Sequence, residues 1–167
     1  MALPIITDRL VLRPYEPEDA EQIHAVLYGD PAAMRLVGGA TDLAQARARI
    51  EGYIADHEDD GFSFWPVIER ESGLIAGEAG LSPFAGAGPE IELGYAFGRT
   101  FWGRGYATEA GRAILREAFG PLGLDRVVAV TRQENAGSQR VLAKLRFRPA
   151  GRRSVWGAQQ LFFVREP

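Results

Sequence analysis

Residues 90–131 constrain this chain more than any other stretch. Residues 90–97 alternate strictly, with Ile91, Leu93, Tyr95 and Phe97 on one side and Glu90, Glu92, Gly94 and Ala96 on the other, the period of a strand with two different faces. A glycine-rich turn follows, Trp102-Gly103-Arg104-Gly105-Tyr106-Ala107-Thr108. Ala107, Ala110, Gly111, Ile114, Leu115 and Ala118 then fall at helical spacing until Gly120 and Pro121 close the stripe. The β-branched run at 127–131 predicts a second strand. Strand, helix and strand in that order predict a right-handed crossover with its helix on one sheet face, so neither an all-helical nor an all-β fold fits.

The rest of the chain extends that sheet. A strand at 10–13 stops at Pro14, and Glu16, Pro17, Glu18 and Asp19 read as an acidic helix start for a stripe of Ala20, Ile23, His24 and Leu27. Gly29, Asp30 and Pro31 break it before a second helix at 43–56. Residues 62–68 and 74–81 predict a hairpin turned at Glu71-Ser72-Gly73, and 83–89 is a loop by composition. Asn135 is a good N-cap for a helix carrying Ser138, Val141, Leu142 and Leu145, and strands from 147 onward and at 161–164 close the fold. The order β-α-α-β-β-β-α-β-α-β-β predicts an α+β (mixed α/β) domain over residues 1–167, with a central, mostly antiparallel sheet of about seven strands and four helices. At 167 residues one domain suffices.

Composition removes chemistries. There is no cysteine, and so no disulfide, thiolate metal site or cysteine nucleophile; two histidines and one lysine, Lys144, make histidine metal centres and Schiff-base catalysis poor options. No metal pattern is present. Without an apolar run of spanning length or a signal peptide at the N-terminus, the expected location is the cytoplasm, with no membrane partner. Residues 1–98 hold 17 acidic and 6 basic side chains, net −11, while residues 99–167 hold 5 and 13, net +8. The split suits two ligands of opposite sign, one phosphate-like and one amine-like, or two solvated faces. The acidic total disfavours nucleic acid.

Catalysis is left to carboxylates, hydroxyls and backbone. The glycine turn at 102–108 sits where a strand hands over to a helix, a place where backbone N–H groups gather at a positive helix end and hold phosphate. It is neither a P-loop nor a full dinucleotide fingerprint, since Thr108 stands at the third glycine position, and a turn with no ligand uses glycine too. Ser138 lies on the inward stripe of its helix, where it either bonds a carbonyl of that helix or faces a ligand. The run Asp56-His57-Glu58-Asp59-Asp60 either attracts a basic amine or is a solvated helix end.

These residues carry a resemblance. The segment Arg99-Thr-Phe-Trp-Gly-Arg-Gly-Tyr-Ala-Thr-Glu-Ala110, followed by Glu134-Asn135, Ser138 and Val141-Leu142-Ala-Lys144-Leu145, resembles the GNAT acetyltransferase superfamily. The opening Thr7-Asp-Arg-Leu-Val-Leu-Arg-Pro14 is similar to the ribosomal-protein (RimJ/RimL-like) branch. The superfamily signature [Q/R]-x-x-G-x-[G/A] falls on Trp102 to Ala107, with Trp102 at the Gln/Arg position. The resemblance implies the GNAT acyl-CoA N-acyltransferase fold and acetyl-CoA as co-substrate, without metal. Backbone N–H groups of Gly103, Arg104, Gly105, Tyr106, Ala107 and Thr108 would hold the pyrophosphate, and Tyr95, Ala96 and Phe97 would pair with the pantetheine arm. Asn135 would order the cofactor edge, and Arg104, Arg140 and Lys144 are candidates for the 3′-phosphate and adenine end. It makes Glu92, with Glu90 as rival, the base that deprotonates an incoming ammonium, and Ser138 the acid toward the departing sulfur, since Leu142 stands where many members place a tyrosine. The acceptor would be a protein N-terminal amine or a small-molecule amine such as a polyamine, amino acid or aminoglycoside, and the protein a monomer or homodimer; a non-catalytic acyl-CoA sensor is the alternative. Arg146 replaces the glycine of the family's Leu-Gly-Phe, so the turn after this helix is expected to differ.

Overall fold

A computed structural model describes residues 3–167. Eight strands form one sheet: β1 (Ile5–Ile6), β2 (Leu10–Leu12), β3 (Phe64–Glu69), β4 (Ile75–Pro83), β5 (Ile91–Phe97), β6 (Val127–Thr131), β7 (Arg148–Val155) and β8 (Ala158–Arg165). Their spatial order is β1-β2-β3-β4-β5-β6-β8-β7. Neighbours are antiparallel except β5 and β6, which run parallel as a crossover requires. The helices are α1 (Asp19–Ile23), continued by a π-helical turn at His24–Tyr28, then α2 (Pro31–Met34), α3 (Leu43–Asp60), α4 (Tyr106–Phe119) and α5 (Ala136–Lys144). The expected seven strands and four helices thus gain β1 and α2, two and four residues long, too short to show a period.

Two cores lie on the two sheet faces. Leu93 and Phe97 of β5 join Tyr106, Ala110, Ala113, Ile114 and Ala118 of α4 and Leu142 of α5 on one face. Tyr15, Ala20, Ile23, Leu27, Tyr28, Ala46 and Ile50 cover the other, packed beside Ala96 of β5. The alternation at 91–97 is therefore a strand buried on both faces.

Three local expectations change. The second helix runs on to Asp60, where Gly61 caps it at φ 76°, so the acidic run is its last turn and mostly exposed. Ion pairs Arg99–Asp30, Arg104–Glu69 and Arg126–Glu90 join the basic and acidic halves, so part of the charge split is spent holding the fold together. The turn after α5 keeps the geometry of a glycine: Arg146 adopts φ 61°, its N–H bonds the Ala143 carbonyl and the Phe147 N–H bonds the Leu142 carbonyl, both at 3.0 Å. That is a Schellman ending with an arginine in the left-handed position. Bonds on both sides hold the residue there against a steric cost of roughly 1–2 kcal/mol.

Candidate active site

The site forms where β5 and β6 part. Strand β5 pairs with β4 along its whole length, from Gly77↔Phe97 to Pro83↔Ile91, but with β6 only at Glu92↔Val128. Beyond Glu92 the β6-facing edge of β5 is open, which leaves backbone groups of residues 94–97 for a ligand that can lie along a strand. At the far end Trp102 Nε1–H donates to the Phe97 carbonyl at 2.7 Å, so of the three residues expected to pair with a pantetheine arm, Phe97 already has its carbonyl engaged.

The glycine turn closes the same end of the opening. Gly103 and Gly105 take φ 77° and 81°, a region open to glycine and strained for other residues. No heavy atom lies within 4 Å of a side chain built at Gly103, and at Gly105 only Arg9 Nη2 does, at 3.6 Å. Gly105 is the N-cap of α4 and no side chain caps this helix end. Four backbone N–H groups at a helix start have no partner within the helix, so this turn presents donors and space to an anion. The side chain of Arg104 does not point to that space: its Nη1 bonds Glu69 at 2.9 Å and its guanidinium lies over the Phe101 ring. Arg140 and Lys144 lie exposed on α5, and Thr108 is buried.

Glu92 and Tyr95 reach the opening from opposite faces of β5. Glu92 is 9% exposed, and burial pushes its carboxyl up to about 7, although the Val130 backbone N–H favours the charged form. Glu90, its rival, bonds Arg126 at 2.6 Å. Beside Glu92, the Phe64 ring covers Gly94 so closely that a Cβ there would sit 2.4 Å from Phe64 Cζ, and Tyr53 stacks on Phe64 with centroids 5.1 Å apart. Glycine at 94, two residues along the same face from Glu92, is what leaves room for the Phe64 ring there.

On the other face Tyr95 Oη lies 2.9 Å from Ser138 Oγ and also donates to the Ser138 carbonyl at 3.2 Å. Burial pushes the phenol up to about 12, against the pull of its bond with Ser138, so it stays protonated at neutral pH. The Ser138 hydroxyl, on the helix that carries Leu142 where many family members place a tyrosine of their own, is thus partnered by a tyrosine from β5. Asn135 caps α5, its Oδ1 accepting from the Ser138 N–H at 3.0 Å, and so holds this serine's backbone. Sequence reasoning missed the Tyr95 hydroxyl, because alternation fixes a residue's face and not which helix its tip meets.

An opening between two parallel strands with a helix N-terminus at its end is a place where a phosphate-bearing ligand can lie along a strand edge. The acetyltransferase (GNAT) domain family matches residues 9–148, and this chain belongs to that family. N-acetyltransferase p20 of Bacillus licheniformis is 31% identical over 150 residues, 88% of this chain and 83% of its own length. Among solved structures, an acetyltransferase from Agrobacterium tumefaciens C58 aligns at TM-score 0.85 and 25% identity over 100% of this chain and 96% of that one. RimL, a ribosomal L7/L12 alpha-N-protein acetyltransferase in complex with coenzyme A, aligns at TM-score 0.82 and 17% identity, covering 98% and 97%. Among the described residues there is no cluster of potential metal ligands and no helix long and apolar enough to cross a membrane.

Proposed function

We propose that this enzyme moves an acetyl group from acetyl-CoA to a primary amine by direct attack in a ternary complex. The observation that carries the reading is Glu92, a carboxyl held near neutrality beside the point where β5 and β6 separate. Acetyl-CoA supplies the activated thioester. Gly103 to Thr108 bind its pyrophosphate through backbone N–H groups, and the open edge of β5 at Tyr95 and Ala96 orients the pantetheine arm. Glu92 takes the proton that the ammonium loses before attack; as the carbon–sulfur bond breaks, Ser138, bonded to Tyr95, gives its proton to the thiolate and regains one, through solvent, from the second proton the nitrogen sheds on becoming an amide. Base and acid sit on opposite sides of β5, so neither competes for the other's proton.

The acceptor we favour is a protein N-terminal amine, on the Thr7–Pro14 opening and the RimL-like fold. The Phe64 ring over Gly94, with Tyr53 stacked on it, favours a second reading, a small amine with an apolar or aromatic body. A thiol-release assay with acetyl-CoA and a panel of N-terminal peptides and small amines tests both. Release with peptides supports the first, release with small amines only the second, and no release with any amine, although acetyl-CoA binds in calorimetry, overturns the enzymatic reading of this site in favour of a sensor.

A further inference from the structure

The Thr7-Asp8-Arg9 segment has no role in the chemistry above, yet it reaches across 100 residues of sequence to the glycine turn. Arg9 Nη1 donates to the Arg104 carbonyl at 2.9 Å. Its Nε and Nη2 bond the Glu109 carboxylate at 2.8 and 2.6 Å, its backbone N–H bonds Glu109 Oε1 at 3.0 Å, and its guanidinium lies over the Tyr106 ring. Thr7 Oγ1 donates to Glu109 Oε1 at 2.6 Å. From the other side Glu69, on β3, accepts bonds from Arg104 and from the Tyr106 hydroxyl and a third from Ser72 at 2.7 Å.

The bond to the Arg104 carbonyl sets a direction. In a planar trans peptide the C=O and the following N–H point opposite ways, so a carbonyl drawn toward Arg9 turns the Gly105 N–H away from Arg9 and outward. Free of that restraint, a turn built on two positive-φ glycines can rotate this peptide at little steric cost. Arg9 is neutralised by Glu109, as Arg104 is by Glu69, so neither adds a spare cation to the turn.

We propose that Arg9 is a positioning residue for the pyrophosphate turn, orienting the Arg104–Gly105 peptide so that its N–H faces the bound anion. This rests on the reading of the turn given above. It makes the fork of the guanidinium essential, because one group must bridge a carbonyl and a carboxylate, which the single ammonium of a lysine does poorly.

The test compares acetyl-CoA with S-acetylpantetheine, the same thioester without the pyrophosphate. In Arg9→Ala, kcat/KM for acetyl-CoA is expected to fall about tenfold, chiefly through KM, the scale of one lost charge-assisted hydrogen bond. S-acetylpantetheine should change by less than about twofold, because no phosphate reads the turn. Arg9→Lys should recover little, and Glu109→Gln, which leaves Arg9 unanchored, should move the same ratio in the same direction. Equal losses with both thioesters, no loss with either, or full rescue by lysine would each overturn the proposal. A wild-type enzyme with no preference for acetyl-CoA over S-acetylpantetheine would instead overturn the assignment of the turn itself.

Discussion

Two buried glutamates on one face of the sheet show how the same side chain is turned to opposite ends. The register Glu78↔Ala96 places Glu78 of β4 on the same side as Glu92 of β5, and both carboxyls are raised by burial. Glu78 is surrounded by donors: the hydroxyls of Tyr15, at 3.1 Å, and Tyr28 bond it, and Arg49 lies near enough to favour its charge. Tyr53 stacks on Tyr15 to close that cluster. Glu92 has one backbone N–H and an opening beside it. A carboxyl saturated with hydrogen bonds is a structural anchor, whereas one desolvated and under-bonded next to an open strand edge can exchange a proton.

The sharpest way to break that contrast is Glu92→Gln, which should lower kcat by about 10²–10³ without lowering the melting temperature. In the wild type kcat/KM should climb through an apparent pKa of about 7 and level off above it, and the variant should lose that limb. A wild-type profile flat from pH 5.5 to 8.5 would remove Glu92 as the base.

Glu78→Ala should show the reverse, a stability loss of roughly 3–4 kcal/mol in urea melts, because buried tyrosine hydroxyls lose their acceptor and Arg49 its counter-charge. Turnover of the fraction that remains folded should hold within about threefold. A large loss of kcat with unchanged stability would place Glu78 in the chemistry and end the distinction drawn here.

The pH dependence of stability sharpens the comparison further. Glu92 has a folded pKa above its unfolded one, so its neutral form favours the fold, and this contribution is present below about pH 4.5 and lost as pH rises through about 7. Glu92→Gln, neutral throughout, should therefore gain on the wild type between pH 5 and 8, by on the order of 2 kcal/mol. Equal pH slopes for the two proteins would mean that Glu92 is better solvated than its burial implies.

Smaller effects are expected farther from the carboxyls. Ser138→Ala should reduce kcat about three- to tenfold, a modest amount because a thiolate is a tolerable leaving group, and Tyr95→Phe should do the same if the two hydroxyls act as a pair. Arg146→Gly should raise stability by about 0.5–1 kcal/mol by relieving the left-handed strain, with acetyl-CoA kinetics unchanged.

Much of this was legible in the residues. The alternation at 90–97, the stripe at 107–118 and the run at 127–131 gave the crossover, and the residue types named the carboxyl and the serine. Arg146 misled, because the absence of glycine suggested a different turn, while the hydrogen bonds of residues 142, 143 and 147 imposed the ordinary one. Glu78 carried no signal beyond a charged residue among small ones in a strand, since its partners come from residues 15 and 28. Arg9 was visible as part of a motif but not as a neighbour of residue 104.

By itself the sequence determined the period of each long element, the chemistries excluded by its composition and the residue types at the site, because these depend on covalent identity and local spacing. Only the tertiary structure decided that β5 and β6 separate after Glu92, that this carboxyl is under-bonded while Glu78 is not, and that Arg9 holds the glycine turn. Each of these is a contact or a missing contact between distant segments, and burial, which sets the charge state of a carboxyl, is a property of the packed chain rather than of any residue in it.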